Sequence, residues 1–146
     1  MVLSDDYCYT ATVLIKAPAD QVMKYMKDAN KVGEWAFGSW KPIKHLGGGV
    51  YQGTSLYDGG ETVYKLNVYE KFHQIDYEVG YHGGELVPWI VARVTPGKVV
   101  GREPESSLLS MMAWRNAKWS NEDWKLIGAT HEAEVFRIRY LVESGQ

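Results

Sequence analysis

The sequence predicts an α+β fold in which one strand and two short helices precede an antiparallel sheet, and a long helix closes the chain. Three patterns predict it: period-two alternation near the start, short apolar runs separated by turn residues after Trp40, and a helical stripe at the end.

The first strand covers Tyr7 to Lys16, where Tyr9, Ala11, Val13 and Ile15 alternate with Cys8, Thr10, Thr12, Leu14 and Lys16. The Tyr9 set is assigned to the interior. Pro18 ends the strand and, with Asp20, suits a helix start; Val22, Met23, Met26 and Val32 are spaced for one short helix and a second. Beyond Trp40, the turn signals Gly47-Gly48-Gly49, Asp58-Gly59-Gly60, Lys71 to His73, Gly83-Gly84 and Pro96-Gly97 separate β-like runs. These place strands at 40–46, 50–57, 61–70, 74–81, 86–94 and 106–115. Tight turns between them favour an antiparallel meander. The stretch from Thr95 to Glu105, with Pro96, Gly97, Gly101 and Pro104, reads as a long loop or a loop containing a short strand.

The last element has the strongest signal. Ser120 and Asp123 have capping-box spacing, with Asp in place of the usual Glu, and Glu122 and Asp123 put negative charge where the helix dipole favours it. Trp124, Gly128, His131, Val135, Ile138 and Val142 then recur at spacings of 4, 3, 4, 3 and 4, with Lys125, Glu132, Arg137 and Arg139 off the stripe. A helix from Asn121 to Val142 is about 33 Å long at ~1.5 Å per residue, enough to span a curved sheet.

At 146 residues the chain fits one domain, residues 1–146, that buries roughly 70% of its unfolded surface. Its 45% apolar and 23% charged residues exclude disordered and fibrous classes. Sixteen basic against 18 acidic residues give a net charge of −2, with no clustered Lys and Arg to meet a nucleic-acid backbone. No apolar run approaches the roughly 20 residues of a membrane span, and no leader pattern is evident, so no membrane role is expected. The one cysteine, Cys8, has no disulfide partner, which suits a reducing cytoplasm. Six Trp and 10 Tyr against 3 Phe are unusual. Such rings, apolar with a polar handle, suit the wall of a ligand pocket or a bulky core.

The element order, together with Val13, Ile15, Ala17-Pro18, Val22 and Trp35 in the opening segment, resembles the START-related helix-grip (SRPBCC) superfamily, and especially its polyketide cyclase/dehydrase-like members. In element order the likeness spans the chain; in motif it is specific over about residues 10–40. It implies a helix-grip fold: a seven-stranded antiparallel sheet wrapped around the long C-terminal helix, two short helices after the first strand, and a cavity between sheet and helix. Members bind lipids, sterols, hormones or polyketides, and some are enzymes. No shared catalytic motif can be carried over, so candidate residues come from inward-facing side chains.

His131 lies in the middle of the helix stripe that the resemblance places against the cavity. It is the candidate general acid/base, or else a core histidine bonded to a Tyr or a backbone carbonyl. Alternation turns Tyr64, Leu66 and Val68 inward, and likewise Ile75, Tyr77, Val79 and Tyr81. Tyr64 and Tyr77 would then offer phenols to a carbonyl or enolate, or serve as wall. Two strands leave the parity open. Either Val87, Trp89, Val91 and Arg93 face in with Leu108, Ser110, Met112 and Trp114, or Ile90, Ala92 and Val94 do with Leu109, Met111 and Ala113. Bulk favours the first set. An inward Arg93 needs a carboxylate or an anionic ligand beside it; an outward one faces solvent. Trp35, Phe37 and Trp40 follow the short helices as a lid or a core plug, and Trp124 and Val135 join Trp35, Trp89, Met112 and Trp114 as expected substrate contacts. His45, His82 and Glu85 are turn residues, read as solvated.

Four His without HExxH spacing and one Cys point to no metal; Gly47-Gly48-Gly49 precedes a strand, unlike a phosphate loop; no Gly-x-Ser-x-Gly occurs. The expectation is a small cofactor-independent enzyme of polyketide cyclase/dehydrase type. It would act on an aromatic or polyketide-like molecule by acid/base catalysis through His131, Tyr64, Tyr77 and Arg93, as a monomer or homodimer. The alternatives are a non-catalytic carrier of a hydrophobic metabolite and a regulator of a partner protein.

Overall fold

In the computed structural model, which describes residues 6–145, β1 (Cys8–Ile15) passes through Ala17-Pro18 into α1 (Ala19–Met26) and a 3₁₀ segment (Ala29–Glu34). Asp28 caps that segment by accepting the Asn30 N–H at 3.1 Å. Six more strands follow: β2 (Trp40–Gly47), β3 (Val50–Thr54), β4 (Glu61–Tyr69), β5 (Gln74–Tyr81), β6 (Val87–Pro96) and β7 (Ser107–Trp114). The chain ends in α2 (Asn121–Glu143), whose first turn Ser120 caps by accepting the Asp123 N–H at 3.1 Å. The seven strands form one antiparallel sheet in the order β1-β7-β6-β5-β4-β3-β2. The first strand closes against the last, from Cys8 opposite Trp114 to Ile15 opposite Ser107. This is the expected helix-grip α+β architecture.

The stretch after residue 94 differs from both alternatives read from the sequence. β6 runs on to Pro96, and a short 3₁₀ turn, Gly97–Val100, follows. Gly97 fits there because a side chain would collide with the Glu103 carbonyl, 2.4 Å from an ideal Cβ.

Register settles the open parity of β6 and β7. Ala92 and Val94, with Leu109, Met111 and Ala113, are buried, whereas Arg93 is exposed and Met112 only half-buried. The bulk-favoured set is therefore mostly the outer one: Val91, Arg93, Leu108, Ser110 and Met112 lie outside, while Trp89 and Trp114 line the cavity and Val87 pairs with Val79 of its wall. Tyr77 pairs with Ile90 but Glu78 pairs with Pro88, so β6 carries an extra residue at Trp89. The bulge re-aims Trp89 to the side its neighbour Ile90 faces. Alternation misled because the outer face is itself semi-apolar: Leu14 and Met112 share it with Thr12 and Ser110, whose hydroxyls bond at 2.8 Å.

Ile15, Val22, Met26, Ile75, Leu109 and Ile138 form the fully buried heart of the core, joining β1, α1, β5, β7 and α2. Helix α2 packs chiefly on β1. Gly128 makes that approach possible, since its ideal Cβ would lie 2.3 Å from Tyr9 Cζ, and the same Tyr9 ring stacks on Trp124 at 4.4 Å. Among the described residues, no helix is long and apolar enough to cross a membrane.

Candidate functional site

A cavity of about 250 Å³ lies among β4 to β7, α2 and two connecting segments, residues 32–39 and 55–57. β5 contributes Tyr77 and Val79, the bulge contributes Trp89 and Ile90, and α2 contributes Ile127, His131 and Glu134. Tyr57, Tyr81 and Trp114 also line it while remaining 39%, 55% and 39% exposed, which marks the side on which it opens.

Most polar groups of the wall are already partnered. The Ser39 hydroxyl bonds Thr62 Oγ1 at 2.9 Å, and Thr62 donates to the Gly38 carbonyl at 2.7 Å. Tyr81 donates to Asp58 at 2.8 Å, Tyr57 pairs with Thr130, and Ser55 Oγ accepts the Tyr57 N–H at 3.1 Å. Burial, opposed by the Thr130 bond and aided by the charge of Glu134, leaves the Tyr57 phenol pushed up to about 12.

The two tyrosines singled out in the sequence differ. Tyr64 donates to the Ala29 carbonyl at 2.6 Å, so its hydroxyl ties β4 to the 3₁₀ segment. Tyr77 Oη is the one buried side-chain polar atom without a hydrogen-bond partner among the described residues. Burial, then the charge of Glu134, raises the Tyr77 pKa far above the ordinary phenol range, so the group stays a neutral O–H. Trp35, 4% exposed, meets the Tyr77 ring edge-on at 5.9 Å.

His131 is 2% exposed and lines the cavity, with both ring nitrogens engaged. Nε2 lies 2.7 Å from the Met111 carbonyl, which only accepts, so Nε2 carries the proton. Nδ1 lies 3.6 Å from Glu134 Oε1. Burial by itself lowers the imidazole pKa; the bond to Glu134, the Met111 carbonyl and the Glu134 charge outweigh it, and the net shift is upward from 6.5. The other Glu134 oxygen accepts the Phe37 N–H at 2.9 Å.

Of the residues chosen from sequence, the structure brings His131, Tyr64, Tyr77, Trp35, Trp89 and Trp114 to the cavity wall. Four do not reach it. Arg93 projects from the outer face of β6, opposite Gln74 and Ser110, and Met112 is on the outer face of β7. Trp124, 4% exposed, stacks behind the wall on Tyr9, and its ring is 6.1 Å from Trp119, which does line the cavity. Val135 is 2% exposed and packed in the core, one turn beyond His131. Phe37 and Trp40 pack edge to face at 5.9 Å beside the wall. Sequence reasoning missed Glu134, Tyr57 and Trp119. Glu134 was recoverable, because a carboxylate three residues after a stripe histidine shares its helix face.

The sequence matches no family model and no curated protein. Solved structures match its fold. A START superfamily protein from Mycobacterium smegmatis has a TM-score of 0.66 at 16% identity, covering 96% of this chain and 99% of that one. The Zhui aromatase/cyclase from a Streptomyces species has a TM-score of 0.64 at 15% identity over 93% of each chain. The Aha1 dimer from Colwellia psychrerythraea has a TM-score of 0.67 at 11% identity, covering 100% and 99%. With a seven-stranded sheet gripping a long C-terminal helix and these structural likenesses, the chain has the helix-grip fold of the START-related (SRPBCC) superfamily.

Proposed function

We propose that this chain binds a small ring-containing molecule in the cavity, with a polar atom of that molecule bonded to Tyr77 Oη. The orphaned hydroxyl carries the proposal. A buried polar group without a partner costs about 1–3 kcal/mol, and phenylalanine would fill the same space without that cost. The cost is offset when a ligand supplies the missing bond. A volume of about 250 Å³ suits a molecule of about one to three rings. The surrounding Trp35, Trp89 and Trp119 give its apolar body a matching wall.

An acid/base enzyme built on the same cavity is a second reading, favoured by the His131–Glu134 pair in the wall. Because both nitrogens of His131 are engaged, the group facing a ligand proton would be the Glu134 carboxylate, with the imidazole steadying its charge. Tyr77 would donate to a carbonyl or enolate oxygen. The solved aromatase/cyclase neighbour is consistent with this chemistry on this fold.

Native mass spectrometry after incubation with an extract of the source cells tests both. A compound retained unchanged supports binding alone; one absent from the input and accumulating beyond one equivalent supports the enzyme; a chain that retains nothing contradicts both.

A further inference from the structure

Apart from the titratable His131, the charge of the cavity wall is one-sided. Glu134 is its one carboxylate among the described residues, and no lysine or arginine lines it. The nearby cations are spent elsewhere: Arg115 donates to the Trp119 carbonyl at 3.0 Å and to Asn121 at 2.9 Å, Arg137 donates to the Glu34 carbonyl at 3.0 Å, and Arg93 is on the outer face of the sheet.

The Glu134 carboxylate is 12% exposed and only partly satisfied. Of about four lone-pair sites, one takes the Phe37 N–H. His131 stands on one side of it, with Nδ1 3.6 Å from Oε1 and Nε2–H bonded to Met111, and the carboxylate still lines the cavity beside that ring. A carboxylate held in so apolar a wall calls for a positive partner. The same cavity is lined by Trp35, Tyr57, Tyr77, Trp89, Trp114 and Trp119, the ring types that attract cations most strongly. The Tyr77 oxygen, buried and without a hydrogen-bond partner, lies within reach of the Glu134 charge.

We infer that the occupant of this cavity is an organic cation, a small aromatic or alicyclic amine whose ammonium is held between the Glu134 carboxylate and Tyr77 Oη inside an aromatic enclosure. The inference rests on the binding function proposed above and specifies its ligand class. It reverses the preference that an inward Arg93 would have given: a carboxylate or phenolate ligand meets like charge at Glu134, and a neutral one leaves Glu134 with His131, 3.6 Å away, as its one cationic neighbour in the wall.

Phenethylamine, phenethyl alcohol and phenylacetate share one ring and chain and differ in the charge of the end group. Their displacement of the neutral fluorescent probe N-phenylnaphthylamine from the full chain at neutral pH tests the inference. Phenethylamine is expected to displace the probe at a concentration at least about tenfold lower than the alcohol, with phenylacetate weakest. Glu134→Gln should bring the amine level with the alcohol, and Glu134→Asp, which keeps the charge, should retain a preference for the amine. Alcohol or phenylacetate matching the amine, or an amine preference that survives in Glu134→Gln, overturns this inference and leaves the cavity function standing. A probe that fails to bind wild-type protein overturns both.

Discussion

Nε2 of His131 is bonded to the Met111 carbonyl at 2.7 Å, so a helix side chain is fastened to the backbone of the strand beneath it, and the same ring holds Glu134 at 3.6 Å on its other side. The residue expected to act as free acid/base thus pins α2 to β7 and positions the carboxylate that faces the cavity.

That arrangement makes stability depend on pH. The folded-state pKa of His131 is raised above its ordinary 6.5, so its stabilising contribution is complete below the unfolded value and is lost as pH rises through the folded one. The advantage of wild type over His131→Gln in urea unfolding should therefore shrink as pH rises above 6.5. An advantage that grows as pH rises would contradict the paired geometry.

Gly128→Ala tests the close contact between α2 and β1. Helix propensity alone predicts a gain of about 1 kcal/mol, but the new methyl would lie 2.3 Å from a Tyr9 ring that Trp124 holds in place. Overpacking of about 1–3 kcal/mol should win, giving a lower urea midpoint. A raised midpoint would show that the Tyr9 ring yields freely.

Arg93→Ala and Met112→Ala should leave displacement of N-phenylnaphthylamine unchanged within about twofold, because both side chains lie outside the cavity, whereas Trp35→Ala should weaken probe binding by about tenfold or more. Equal losses in all three would contradict the assigned parity of β6 and β7.

Which parts of this fold were legible depended on how sharply polarity alternates. β1 and α2 are readable because Ala11, Val13 and Ile15 are buried beside exposed Thr10, Thr12 and Leu14, and the Trp124 to Val142 stripe has charged flanks. On β6 and β7 the outer face carries Val91, Leu108 and Met112, so period two reveals an alternation without revealing which side is in. The bulge at Trp89 has a local marker only in the preceding Pro88, which lacks an N–H for the ladder; its place is set by the pairing with β5. Tyr64 and Tyr77 look equivalent in sequence, and only the position of the Ala29 carbonyl makes one a tether and leaves the other unbonded. Glu134 was legible only through its i,i+3 spacing from His131, since a charged residue beside an apolar stripe ordinarily belongs to the solvated face.

Tyr77→Phe is the most direct test of the central claim, that the Tyr77 hydroxyl is held for a ligand. Removing an unbonded buried hydroxyl should leave the free protein as stable as wild type or more so, by up to about 1–3 kcal/mol in urea unfolding. The same substitution should weaken displacement of N-phenylnaphthylamine by phenethylamine or phenethyl alcohol by about threefold to tenfold, the value of one hydrogen bond. A destabilised variant whose ligand displacement is unchanged would show that the hydroxyl serves the fold and not a ligand.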